Sequence, residues 1–201
     1  GRVGFCYDYM DFKGDEINNL DEELEIWLNN WTFNNKKTFA IKVLMLNLLL
    51  SQRLETEDGY KADTFTININ SALTYKMDAG RLQLDHLEAN IINRVNSQSY
   101  DIEKRQKDVN GYIGNFMILD AVDNNQKNNV PLKNAMEYYK RIEKSWLVDD
   151  IECMIKDEEY FDLERQIPKE EFFRERTKRL KCCFKAFLRK KLNDTQVTIR
   201  F

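Results

Sequence analysis

Two prolines and seven glycines in 201 residues leave little to interrupt helices, and Leu, Lys and Glu are plentiful, a balance that leans towards helix. Cysteine is sparse. Cys6, Cys153, Cys182 and Cys183 include no CxxC pair, and two adjacent cysteines are poorly placed to share one zinc ion, which excludes a structural zinc site. Free thiols in a reducing cytoplasm are the expected state. Long apolar runs are also missing. The most apolar window, Thr38 to Leu50, contains Lys42 and Asn47 and falls short of the roughly 20 residues a bilayer crossing needs. It is read as a core helix, and no membrane segment is expected. There is no excess of positive charge, since the formal net charge is −3. That excludes an evenly basic nucleic-acid binder but not a local basic surface. No signal peptide is visible, and a chain opening on Gly1 rather than Met is read as a piece of a larger protein or a shortened one.

What is present suits one compact α+β unit, mostly helical: 42% hydrophobic and 32% charged residues belong to a globular chain and not a disordered one. Residues 1–19 resist assignment. Asn19 reads as the cap of a helix through LDEELEIWLNNW, with acidic residues in the first turn to suit the helix dipole. A second helix is expected from Lys36 to Leu54, apolar nearly all round and so buried on several sides. ETEDGYKAD reads as a polar loop, and alternation from Phe65 to Ile69 as a short strand. A brief helical turn capped by Ser71 runs to Met77. As a strand, the stretch after Gly80 puts Leu82, Leu84 and His86 on one face and Asp85 on the other.

Further on, a helix is expected near Asp101 to Val109, and a strand opened by a glycine from Ile113 to Leu119. Amphipathic helices follow over LKNAMEYYKRIEKSWL and from Val148 to Ile155. Pro168 is placed at the first position of a long helix to about Leu192, with a buried stripe at Leu180, Phe184, Phe187, Leu188 and Leu192. Ten Lys/Arg minus three Glu between Pro168 and Leu192 give that helix +7, unusual in a chain of net −3 and suited to a DNA backbone. QVTIRF reads as a final strand.

The chemistry concentrates around the single histidine, His86, which follows Asp85. A neutral imidazole can take a proton from water so that the water attacks phosphorus. A divalent cation would stabilise charge on the phosphate and the leaving oxygen, and Asp85 with an Asn carbonyl offers the hard oxygens it prefers. An Asn or backbone carbonyl must also orient the imidazole through its other nitrogen, while the structural reading of Asn115 is that it bonds backbone in the loop joining the two strands, which also places His86.

The residues Asp85-His86, then Asn115-Phe116-Met117-Ile118-Leu119, then Asn124 nine positions after Asn115 and Lys127 three later, resemble the ββα-metal element of HNH nucleases. More narrowly, GNFMIL with its spaced asparagines, Lys133 and Tyr138 or Tyr139 is similar to the C-terminal nuclease domain of GmrSD-type, modification-dependent restriction enzymes. FFRERTKRL, from Phe172 to Leu180, resembles that domain's closing helix. The likeness covers residues 80–192. It implies a DNA endonuclease using Mg²⁺ or Mn²⁺, with His86 as general base, Asn115 as positioner, and Asp85 and Asn124 (Asn125 or Asn128 as its substitutes) as metal ligands; Lys127 and Lys133, with Arg174 and Lys178 of the basic helix, are expected on DNA. It further implies a restriction or phage-defence role against modified DNA, with a ParB-like nucleotide-hydrolysing domain outside this chain. Residues 1–79 would then be a helical connector and 80–201 the nuclease. One departure stands out: the family has His-Ile-x-Pro where this chain has His86-Leu87-Glu88-Ala89.

Each signal has a plainer reading. A lone histidine is more often structural than catalytic, an asparagine-rich segment is commonly a turn and cap, and lysines are ordinarily solvated. The alternatives are therefore a non-catalytic DNA-binding or subunit-interaction module with a degenerate HNH site, and a helical regulatory domain unrelated to nucleases.

Overall fold

The structure is a computed structural model. It describes residues 51–65, 82–88, 112–141 and 146–194, together with Glu22, Glu25, Ile26, Ile41, Lys42, Leu44, Met45 and Leu48. It is a mixed α+β protein, mostly helical, whose strands form three two-stranded antiparallel sheets among the described residues. The chain divides into two compact units, Gly1–Ile67 with Arg179–Phe201, and Asn68–Lys178.

In the first unit, Ile41, Leu44, Met45 and Leu48 are helical and buried. Their spacing of three, one and three puts them on one helical stripe. The helix expected to reach Leu54 has ended by Ser51, because Ser51–Glu55 is strand β1 and pairs with β2, Lys61–Phe65. The segment read as a polar loop is therefore the turn and second strand of a hairpin. Gly59 makes that turn at φ +76°, a region glycine enters without strain. Its N–H donates to the Thr56 carbonyl, and the Thr56 hydroxyl accepts from Tyr60 N–H at 3.0 Å.

The second unit carries β3, Leu82–His86, paired with β4, Phe116–Asp120, so that His86 lies opposite Phe116 and Asp85 opposite Met117. The expected strand from Ile113 begins later, since Ile113–Asn115 forms a single 3-10 turn. Helix α1, Ala121–Lys127, follows β4 directly, with the Asp120 carboxylate accepting from Val122 N–H at 2.8 Å as its N-cap. Asn128 ends it at φ 48°, a conformation asparagine tolerates better than most side chains.

Helix α2 is Leu132–Tyr139 and α3 is Trp146–Met154. The single long helix expected after Pro131 is therefore two elements: α2 closes in a turn at Lys140 and Arg141, and Trp146 and Leu147 already belong to α3. Pro168 is not in the last helix. It sits buried in β6, Ile167–Pro168, paired with β5, Phe161–Asp162. The next amide, Lys169 N–H, donates to the Tyr160 carbonyl, so helix α4 starts afterwards and spans Glu170–Asp194. Phe172, Phe173, Leu180 and Phe184 are buried, as expected, while the side chains of Phe187, Leu188 and Leu192 lie outside the described residues. The expected elements at residues 1–19, 66–77, 101–109 and 196–201 also lie outside them.

Candidate active site

Strand alternation divides β3 in two. Gln83 and Asp85 face α1, whereas His86 lies on the opposite side with its ring centroid 4.5 Å from that of Phe116. Helix periodicity does the same for α1, placing Asn124 and Lys127 on one side of it. The two faces meet as a ladder: Asn124 Nδ2 donates to Gln83 Oε1 at 2.7 Å, and Lys127 Nζ lies 3.0 Å from Asp85 Oδ2.

The lower rung is buried. Asp85 is 6% and Lys127 1% exposed. The ammonium also donates to Asp85 Oδ1 at 3.2 Å and to the His86 carbonyl at 3.0 Å, which gives its N–H donors acceptors without water. Tyr139 of α2 donates its hydroxyl to Asp85 Oδ2. Burial, then the neighbouring Asp85 charge, push the Tyr139 phenol well above its ordinary value of 10.0, so it remains a donor.

Behind the histidine the chain turns at Leu87 and Glu88. Both amides are held by one residue: Leu87 N–H donates to the Asn115 carbonyl at 2.8 Å, and Glu88 N–H to Asn115 Oδ1 at 2.9 Å. Asn115 is fully buried, and its role in bonding the backbone behind His86 follows from these two contacts. The peptide groups around Asn115 are gripped from α4. Arg176 Nη1 donates to both the Gly114 and Phe116 carbonyls at 2.7 Å. The Thr177 hydroxyl accepts from Gly114 N–H at 2.9 Å and donates to the Phe173 carbonyl at 2.6 Å. A Cβ at position 114 would lie 2.3 Å from that Phe173 oxygen, so only glycine permits the approach.

Burial lowers the His86 imidazole below its ordinary 6.5, with Asp85 opposing and Lys127 adding to the effect. The imidazole is thus neutral at neutral pH, as a proton acceptor must be.

The expected ligand pair, Asp85 and Asn124, supplies hard oxygens, chemistry that suits Mg²⁺ or Mn²⁺. Their arrangement does not fit a shared ion. The positive group facing Asp85 is the Lys127 ammonium, and Asn124 is bonded two positions further up β3, at Gln83. Among the described residues, His, Cys, Asp and Glu side chains form no group of three around a common point.

Of the residues expected on DNA, Lys133, Arg174 and Lys178 are exposed. Arg174 is held by Glu170 Oε1 at 2.7 Å and the Tyr112 hydroxyl at 3.1 Å. Lys127 is the correction: it is buried beneath Asp85, where no phosphate reaches it, because an unpaired buried carboxylate would be far costlier than a paired one. Arg176 likewise leaves the basic surface, at 1% exposure. Reasoning from sequence passed over Arg176, yet it falls four residues after Phe172 and four before Leu180, on the apolar stripe of α4. A charged residue on such a stripe is the mark of a buried polar role.

No described helix is long and apolar enough to cross a membrane. No protein-family model, curated protein or solved structure matches this chain.

Proposed function

We propose that the β3–β4–α1 element is an HNH-like nuclease site and that the protein hydrolyses phosphodiester bonds in DNA. The observation that carries this reading is the support given to His86. It ends a strand as a half-buried, neutral imidazole, and Asn115 fixes both amides immediately after it through the contacts at 2.8 and 2.9 Å.

In this reading His86 accepts the proton of the attacking water, and Asn115 keeps the imidazole in place while it does so. Lys133, Arg174 and Lys178 meet the DNA backbone. The resemblance implies dependence on Mg²⁺ or Mn²⁺, an ion that the arrangement of Asp85 and Asn124 does not fit. It implies also a restriction or phage-defence setting, modified DNA as target, and a ParB-like nucleotide-hydrolysing partner domain.

The test is plasmid nicking by the full chain with Mn²⁺ or Mg²⁺, beside an EDTA control and His86→Ala of unchanged circular dichroism. Metal-dependent nicking lost in the variant supports the reading; equal nicking by both removes His86 from the mechanism.

A second reading has one observation in its favour. The ammonium of Lys127 on Asp85 suits a degenerate site in a DNA-binding or subunit-interaction module. That module retains DNA, in a salt-sensitive way, after His86→Ala and nicks none before it.

A further inference from the structure

We infer that Arg176 is a positioning residue for His86, acting through the Asn115 peptide groups from the far side of the β3–β4 sheet. The inference deepens the nuclease reading and takes its functional consequence from it.

The chain of contacts is short and continuous. One guanidinium nitrogen of Arg176 binds the carbonyls on both sides of Asn115, those of Gly114 and Phe116, at 2.7 Å each. Those carbonyls belong to the Gly114–Asn115 and Phe116–Met117 peptides, the units before and after the peptide that carries the Asn115 carbonyl. The Thr177 hydroxyl holds the Gly114 amide at 2.9 Å, so three backbone groups on either side of Asn115 are tied to α4. Asn115, between them, presents its own carbonyl to Leu87 and its side-chain oxygen to Glu88. Those are the first two residues after His86, and Phe116, whose carbonyl Arg176 also holds, carries the ring packed against the imidazole at 4.5 Å.

The arginine is a costly choice for filling space. Burial lowers its guanidinium from 12.5 to about 10, and Arg176 Nε is buried without a hydrogen-bond partner among the described residues. A hydrophobic side chain of similar volume would avoid that desolvation. What it lacks is the planar guanidinium whose Nη1 hydrogens, fixed in one plane, are shared between the two carbonyls.

The experiment uses the full chain, labelled for NMR, as wild type, Arg176→Lys and Thr177→Val. Lysine keeps the charge but lacks the planar fork, and Thr177→Val removes only the hydroxyl, so at least one variant remains folded for the comparison. Amide exchange is read at Leu87 and Glu88 against Ile155, whose N–H bonds the Ile151 carbonyl in α3. His86 is the only histidine, so its ring protons report on the imidazole's surroundings at one fixed pH.

The expected result is exchange about tenfold faster at Leu87 and Glu88, a moved His86 ring signal and an unchanged Ile155. In the nicking assay kcat falls while KM holds. Exchange at Leu87 and Glu88 that is unchanged in the folded variants, or that rises only in step with Ile155, overturns the inference. If wild type does not nick DNA, the nuclease reading fails, whereas the amide and ring signals still decide the role of Arg176.

Discussion

Lys127 Nζ stands 3.0 Å from Asp85 Oδ2 with both side chains buried, so β3 and α1 are joined by a charge pair from which water is largely excluded. Removing one partner leaves the other charge buried and uncompensated, which costs about 3–5 kcal/mol. Lys127→Met is expected to lose stability on that scale in urea unfolding. The double variant Asp85→Asn with Lys127→Met recovers a large part, because neither charge then remains. A double variant as unstable as the sum of the singles would show that the pair is not coupled.

Tyr139 completes this network from α2. Tyr139→Phe removes only the hydroxyl donor to Asp85, and hydrogen bonds to charged groups contribute about 1.5–3 kcal/mol. A loss in that range is expected, with the fold retained. The same substitution made beside Asp85→Asn has a smaller effect, and equal effects in the two backgrounds would place the tyrosine outside the network.

Gly114→Ala tests the close approach of α4 to the Asn115 turn. The new methyl would meet backbone atoms, Phe173 O at 2.3 Å and Thr177 N at 2.8 Å, which move only if the helix moves. Overpacking of this kind costs about 1–3 kcal/mol, so a lower midpoint of thermal unfolding is expected. Faster amide exchange at Leu87 and Glu88 should accompany it, because the displaced turn no longer holds them. A variant as stable as wild type would mean that α4 is not seated on Gly114.

Local patterns in the sequence were good guides wherever the physics is local. The alternation of Leu82 to His86 placed Asp85 and His86 on opposite faces, and the apolar spacing of α4 marked Leu180 and Phe184 as core. Elements decided by pairing were harder to read. Ser51–Glu55 follows a helix and contains good helix formers, yet Gly59 turns the chain back and a strand partner prevails. At the site, Asn115 was singled out by the resemblance, through the Gly-Asn pair that opens the apolar run, and its burial is not visible in the sequence. Lys127 was misread because nothing local distinguishes a lysine bound to a buried carboxylate 42 residues away from one in solvent. Arg176 could be found only by noticing that its place on α4 belongs to a hydrophobic residue.

Stability should depend on pH through His86. Its folded value is held below 6.5 by burial, so on acidification the unfolded chain takes up its proton first. The contribution is therefore complete above 6.5 and is lost as pH falls through the folded value. His86→Gln removes this dependence. The two stability curves should run parallel above 6.5 and converge or cross below it, and curves parallel throughout would show that the imidazole is not desolvated.

DNA binding should separate the exposed cations from the buried one. Each lysine that neutralises a phosphate adds about 0.9 to the slope of log K against log salt. Lys133→Gln and Lys178→Gln are each expected to lower that slope by about this amount, with little change in stability, because both side chains are exposed. Arg174→Gln, at a side chain exposed as well, should lower it too. Lys127→Gln, measured where it remains folded, should leave the slope untouched, because its charge is spent on Asp85. The measurement is filter binding or fluorescence anisotropy on one duplex across a salt series. A slope lowered as much by Lys127→Gln as by Lys133→Gln would return Lys127 to the surface and dissolve the buried pair. A slope that none of the four changes would move the DNA contact away from these residues.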